Sequence, residues 1–273
     1  MTTPTTLWYV YGIVPDGAPA SSLPSGLDDA EVRVERDGGV AALVSRLDAA
    51  SYAPEAIERD SADVEWLGPR AMAHDRVLTW ASDHGAVVPL PMFSLFSGPD
   101  AVRSMLRDRS PQLASTLARV ARGREYALRV YRVDAELLEV IATLSPRLEQ
   151  LAASAASASP GQRYLLERKL EVQKRAELRS VTQEIVDEIV EELASHAIDT
   201  VRSPIPRVTD AGELAGRGTM VLNAAFLVAP NGLEAFQKTL TTSIARRSGQ
   251  GFRFDFTGPW PPYHFATESA DGR

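Results

Sequence analysis

Four histidines and no cysteine bound the chemistry open to this chain. Without thiols there is no disulfide framework, thiolate metal site or thiol nucleophile, a composition that suits a reducing compartment. His74, His84, His196 and His264 are scattered, whereas a metal pair on one helix face needs a spacing of three or four. His74 and His84 are therefore expected at the surface or the rim of a core. Gly216-Arg217-Gly218 has neither the spacing nor the following helix of a phosphate-binding loop, and neither a G-x-S-x-G elbow nor an H-E-x-x-H motif occurs. The acidic pairs Asp28-Asp29 and Glu191-Glu192 fall in a polar loop and on a charged helix face, where solvation accounts for them. No enzyme, no cofactor and no metal is the expectation, with a triad assembled from distant residues as the arrangement that spacing would not reveal.

The most ordered polar feature is a distribution of charge. From Gln162 to Ala197 the pattern is helical without interruption, about 54 Å at 1.5 Å per residue. Arg168, Lys169, Lys174, Arg175 and Arg179 occupy its first half, and Glu184, Asp187, Glu188, Glu191 and Glu192 its second. That order opposes the helix macrodipole. Either each block faces a partner of opposite sign, inside or outside the protein, or the helix is solvated and laced with pairs such as Glu171 and Arg175. Leu178, Val181, Ile185, Val186, Ile189 and Leu193 form an apolar stripe in the second half. The first half is poorer in apolar residues and is expected to project beyond the sheet or between domains.

The elements around this helix are legible from periodicity. Leu7–Val14 reads as a buried strand stopped by Pro15-Asp16-Gly17, and Glu31–Val44 as a hairpin turning at Asp37-Gly38-Gly39. Ala56–Asp83 carries helical spacing with a break expected at Gly68-Pro69, and Gly98-Pro99-Asp100 starts a helix to about Arg122, with a possible kink at Ser110-Pro111. Between them lies the apolar segment Met92, Phe93, Ser94, Leu95 and Phe96. Core packing is its ordinary reading, and an exposed docking patch its functional one. Glu125–Val133 alternates as a half-buried strand. Helical sequence follows from Ala135 to Ala197, interrupted by a flexible connection expected at Ala152–Pro160, and then strands at Val201–Val208 and Thr219–Ala229. A helix at Leu233–Arg247 leads to a last strand, where Phe252, Phe254 and Phe256 put three rings on one face.

These elements define an α+β chain of two domains, residues 6–123 and 124–267, with a tail at 268–273. The second reads β-α-β-β-α-β, the ferredoxin-like order, with the long helix projecting from it. At 273 residues and 44% hydrophobic composition the chain can bury a sizeable core. A net charge of −7 argues against nucleic acid, which needs clustered Lys and Arg in excess. The N-terminus lacks a signal-peptide pattern and no apolar run reaches 18 residues, so neither export nor a membrane span is expected.

The last strand ends in Thr257-Gly258-Pro259-Trp260-Pro261-Pro262-Tyr263-His264-Phe265. Together with Tyr9-Val10-Tyr11-Gly12-Ile13 and Gly161-Gln162-Arg163-Tyr164-Leu165, this ending resembles the F/L family of gas vesicle proteins, in the family's order and spacing. The resemblance spans residues 6 to 267. It departs at Pro89-Leu90-Pro91-Met92-Phe93-Ser94, where the family has a basic residue followed by Phe-Gly-Thr.

The resemblance implies a cytoplasmic, gas-vesicle-associated accessory protein without a cofactor. Such a protein binds the hydrophobic shell-forming protein and other accessory proteins during nucleation or growth, and could remain as a minor shell component. Docking is then expected through Met92, Phe93, Leu95 and Phe96, near Leu166 and Leu170 on the long helix, or on open sheet edges. Gly258, Pro259, Trp260, Pro261, Pro262 and Tyr263 are expected to act structurally, locking the last strand onto the core. The alternatives are a small-molecule-binding or enzymatic ferredoxin-like cytoplasmic protein, recognisable by a pocket with convergent polar groups, and a regulatory dimer through the long helix.

Overall fold

The computed structural model describes residues 5–206 and 217–266. Two units divide the chain: Met1–Glu125 with Pro259–Arg273, and Tyr126–Gly258. The sequence places a boundary between residues 123 and 124; the compact units part between Glu125 and Tyr126, and the chain from Pro259 onward belongs with the first unit.

Unit 1 is built on strand β1 (Thr6–Pro15). Beside it run β3 (Val40–Asp48) and, outside that, β2 (Val32–Asp37), while β4 (Val88–Pro89) and β5 (Leu95–Phe96) pair antiparallel with its other edge. Helix α1 (Pro54–Asp60) precedes α2 (Val64–His84), and α3 (Pro99–Val120) follows β5. Tyr9, Tyr11 and Val14 of β1 join a core with Val77 and Leu78 of α2. Val10 and Ile13 join a second core with Val102, Leu106 and Leu117 of α3. A strand covered on both faces needs no polar alternation, which is why residues 7–14 read as one apolar run. The sequence of sides shifts because Tyr11 is an extra residue in the β1–β3 register, between Val10 opposite Val44 and Gly12 opposite Leu43.

Gly12 follows the bulge, where a β-carbon would lie 2.9 Å from both the Val88 carbonyl oxygen and Leu78 Cδ2. Only glycine lets β1 approach β4 this closely.

The expected break at Gly68-Pro69 does not occur: α2 runs through Pro69, and the interruption falls earlier, at residues 61–63. Asp63 fixes that start, its carboxylate accepting from the Glu65 amide at 2.9 Å. Helix α3 likewise continues through Pro111.

Unit 2 contains β6 (Arg124–Arg132), α4 (Asp134–Val140), α5 (Pro146–Ser157), α6 (Pro160–Ala194), β7 (Asp199–Arg202), β8 (Thr219–Val228), α7 (Leu233–Arg247) and β9 (Phe252–Trp260). The strands lie in the order β7-β8-β6-β9. One apolar core joins Leu128 and Val130 of β6, Phe226 of β8, Ile185 and Ile189 of α6, and Phe236 of α7. All three rings of β9 join it, Phe252 buried and Phe254 and Phe256 half-buried, with Phe256 stacked on Tyr126 at 5.5 Å.

The flexible connection expected at 152–160 is a correction: Ala152–Ser157 is the second half of α5, and only Ala158 and Ser159 join it to α6. Alanine is the strongest helix former, α5 packs along α6 and Ala155 is buried, so low complexity does not loosen the stretch. Strand β9 continues past Gly258 to Trp260 because it is an edge strand, where Pro259 need not donate to a ladder. The strand expected at Val201–Val208 ends at Arg202, and its last two residues lie outside the described ones.

Candidate functional site

The apolar segment expected to dock a partner is held within unit 1. Leu95 and Phe96 are β5, opposite Tyr9 and Trp8 of β1, and pack onto the two cores on either side of the sheet. Phe93 takes a left-handed backbone, φ 64°. Surrounding contacts enforce that conformation: its ring stacks on Trp66 at 5.7 Å and meets Tyr52 and Tyr9 at 6.4 and 6.5 Å, and its amide donates to the Tyr9 hydroxyl at 3.4 Å. Met92 is half-buried beside it.

Around this segment the fold assembles polar groups that spacing did not reveal. The Arg70 guanidinium lies 4.3 Å from the Trp66 ring centroid and 5.7 Å from that of Tyr52, and pairs with Asp28 at 2.8 Å. The Tyr52 hydroxyl donates to the same carboxylate at 2.6 Å, and its burial and the Asp28 charge raise its pKa. Asp28 is therefore paired rather than merely solvated. Tyr9 bonds to His74 Nδ1 at 2.7 Å, and Tyr11 donates to Ser45 Oγ at 2.9 Å while accepting from the Leu27 amide. A β-carbon on Gly26 would fall 1.9 Å from the Tyr11 hydroxyl, so this glycine makes room for the bond. Burial holds His74 down at about 4, hence neutral. The Tyr-x-Tyr-Gly motif is thus a core device that ties β1 to α2, β3 and the loop before β2.

The Pro-rich ending is a second such device, and it acts on unit 1. Tyr263 donates to Asp75 at 2.8 Å. Glu125, 1% exposed, accepts from the His264 amide at 3.0 Å and bonds to its Nδ1 at 2.7 Å. Arg119 donates to the Phe265 carbonyl at 2.6 Å, and Phe265 is buried. Pro261 and Pro262 are buried, while Trp260 and Tyr263 keep partial exposure. Glu125 escaped the sequence reading because it sits in an alternating strand as one more charged residue.

On α6 the two expected docking residues are less accessible than their neighbours. Leu166 and Leu170 are half-buried, and Leu170 packs on the unit 2 core. Their exposed neighbours are Tyr164, Leu165 and Val172, each about two-thirds accessible. Counting back by helical turns from Leu178 and Val181 reaches Leu170 and Leu166, so the phase of the stripe carried that signal.

Clefts bring little chemistry together. A cavity of about 290 Å³ between Val14, Pro15, Ala18 and Trp80 contains one titratable side chain, His84. That imidazole stacks on Trp80 at 4.3 Å, with Nδ1 2.7 Å from the Trp80 carbonyl oxygen. An open groove between α6 and α7 is lined by Glu192, His196, Lys238 and Arg246, of which Glu192 and Arg246 pair with each other at 2.6 Å. Among the described residues no group of three or more metal-capable side chains converges, and no helix is long and apolar enough to cross a membrane.

The described residues thus form a mixed helix-and-sheet protein whose motif side chains bond among its own elements, with Tyr164, Leu165 and Val172 accessible on its long helix. The family model described as gas vesicle synthesis protein GvpL/GvpF matches residues 7–267, and the chain belongs to that family. It is 29% identical to gas vesicle protein L2 of Halobacterium salinarum, over 95% of this chain and 91% of that one. It is 27% identical to gas vesicle protein L of a Streptomyces species, over 95% and 92%, and 27% identical to gas vesicle protein F of the same Streptomyces, over 94% and 98%. The crystal structure of GvpF from Anabaena superposes with a TM-score of 0.67 over 97% of both chains, and that from Microcystis aeruginosa with 0.65 over 97% and 100%, each at 20% identity. These two establish the likeness of fold. Family membership gives the chain a role in gas vesicle formation, in association with other gas vesicle proteins.

Proposed function

We propose that this chain works as a cytoplasmic binding partner of the small shell-forming gas vesicle protein and of other accessory proteins during nucleation or growth of the vesicle, with no catalytic step of its own. The observation that carries the reading is how side chains are spent. The aromatic and charged groups of the motifs bond inside the protein, as Tyr9 does to His74 and His264 to Glu125, while large apolar side chains stay accessible on helices at Val64, Met72, Tyr164, Leu165 and Val172. A subunit that lines a gas space exposes apolar surface and aggregates if left free, so an acidic partner that covers it transiently meets a physical need.

The second unit is inferred to be ferredoxin-like. With α4, α5 and α6 together forming the first crossover, its elements follow a β-α-β-β-α-β pattern, and its strands lie in the order second, third, first, fourth. Helix α6, 35 residues or about 52 Å, is longer than a small sheet needs, which frees its N-terminal half for partners.

Co-expression with a shell-forming gas vesicle protein and affinity capture through this chain tests the proposal. Co-purification of the shell protein or of another vesicle protein is the expected result. A folded, monodisperse chain that captures none of them overturns it.

A further inference from the structure

Helix α6 carries its charge in two blocks, and the fold treats the blocks differently. Most of the acidic half is neutralised inside unit 2. Asp187 pairs with Arg202 at 2.6 Å, Glu188 with Arg246 at 2.8 Å and also with Arg247, and Glu192 with Arg246 at 2.6 Å. Those guanidiniums hold the Asp187 and Glu192 carboxyls below the usual carboxylate range. The basic half is less compensated: Lys174 pairs with Glu171 at 2.7 Å, but Arg168, Lys169, Arg175 and Arg179 are exposed and make no ion pair among the described residues.

At about 100° per residue, Tyr164, Leu165, Arg168, Val172, Arg175 and Arg179 share one side of the helix. Every one of them is exposed. Glu167 and Glu177 lie on other sides, and Glu171 stands at one edge of the face, where it pairs with Lys174 at 2.7 Å, so over more than four turns this face is apolar and predominantly cationic. Resting on the assembly role proposed above, we infer that this face docks an amphipathic helix of a gas vesicle partner, one whose apolar stripe is flanked by Asp or Glu.

Three physical arguments select that occupant. The apolar anchors at 164 and 165 and at 172 stand two turns apart on one side, a spacing that helix-to-helix contacts use. A second copy of this chain is unsuited, because an isologous contact would set the same arginines against each other and the acidic half of α6 is largely paired already. A bilayer surface is unsuited as well: a membrane-lying helix needs a continuous apolar face, and here Arg168 and Arg175 interrupt it.

The test uses the full chain and two variants, Arg168→Glu/Arg175→Glu/Arg179→Glu and Tyr164→Ser/Leu165→Ser/Val172→Ser, whose folding is checked by circular dichroism. The probe is a fluorescent designed helical peptide with a leucine stripe and glutamate flanks, set against the same peptide with lysine flanks. The expected result is at least tenfold preference for the acidic peptide, weakened about tenfold by charge reversal through loss of three exposed pairs and abolished by the serine variant. Equal binding of the two peptides, or variants that bind as the unaltered chain does, overturns the inference. Dimerisation, or cosedimentation with anionic phosphatidylserine vesicles, that the serine variant removes also overturns it, in favour of a second copy or a membrane. In the capture experiment, a charge-reversed chain that retains every partner overturns this face alone and leaves the assembly role standing. If the unaltered chain captures nothing, the assembly role falls, and the peptide measurement still decides the face.

Discussion

The buried imidazole of His74 makes the stability of unit 1 depend on pH in a direction and amount that the structure sets. Burial lowers its pKa to about 4, against 6.5 for a free histidine. Its Nδ1 bonds to the Tyr9 hydroxyl, and burial outweighs the nearby Asp75 charge and the Leu90 backbone bond, both of which favour the charged ring, so the imidazole stays neutral. Between pH 6.5 and 4 the unfolded chain binds a proton that the folded chain refuses. The contribution of neutral His74 is therefore complete above about pH 6.5 and is lost as pH falls toward 4, amounting to about 3 kcal/mol at 1.36 kcal/mol per unit. All four tryptophans, Trp8, Trp66, Trp80 and Trp260, belong to unit 1, so indole fluorescence during urea unfolding reports on this unit. The comparison is with His74→Gln, whose amide can still meet Tyr9 but does not titrate. Carboxylates titrate in both proteins and cancel in the difference. At pH 7 the variant is expected to be less stable by about 1–2 kcal/mol, as for a weakened buried hydrogen bond. By pH 4 the order should reverse, because the unaltered chain alone loses the histidine contribution. A stability gap that stays constant within about 0.5 kcal/mol from pH 7 to pH 4.5 would refute the reasoning, since linkage at that site would then be absent.

Three further substitutions probe the other internal ties. Glu125→Ala removes the buried carboxylate that holds His264 and should cost about 3 kcal/mol, with faster proteolytic nicking after Trp260; an unchanged midpoint would mean the ending is held by other contacts. Gly26→Ala sets a methyl group against the Tyr11 hydroxyl and should cost roughly 2 kcal/mol or more in urea unfolding, and a neutral outcome would refute the close approach. Arg246→Ala removes a half-exposed guanidinium from Glu188 and Glu192 and should cost about 1 kcal/mol, less in 1 M salt; amide exchange in α7 reads the effect, and a salt-independent loss would point to packing instead.

Local patterns carried much of this fold. The hairpin turning at Gly38-Gly39, the helix at Leu233–Arg247 and the three-ring face of Phe252, Phe254 and Phe256 follow from turn chemistry and period alone, and they stand where those rules put them. Composition misled at Ala152–Ser157, where small residues suggested looseness although alanine favours helix and the stretch had α6 to pack on. Proline misled at Pro69, where a helix already started by the Asp63 cap runs through it. The interior of unit 1 was out of reach for a different reason. Asp28, Tyr52 and Arg70 become neighbours only through the fold, and no spacing rule relates positions 42 residues apart.

The same distinction governs the candidate site. Leu166 and Leu170 were chosen for their hydrophobicity, but the buried stripe through Leu178, Val181 and Ile185, continued backward, runs through both, and Leu170 packs on the core while Leu166 is half-buried. Phase alone would have moved the choice to Tyr164, Leu165 and Val172. The meaning of the charge blocks could not be recovered in that way. In sequence, the acidic and basic halves of α6 are equally in want of partners. Only the placement of Arg202, Arg246 and Arg247 beside Asp187, Glu188 and Glu192 shows that one half is largely satisfied from within. In the cationic half Lys174 pairs with Glu171, while Arg168, Lys169, Arg175 and Arg179 make no ion pair among the described residues, which is the charge the proposed anionic partner would meet. A helix whose acids are largely paired from within, and whose arginines largely are not, has the charge pattern expected of the proposed docking face.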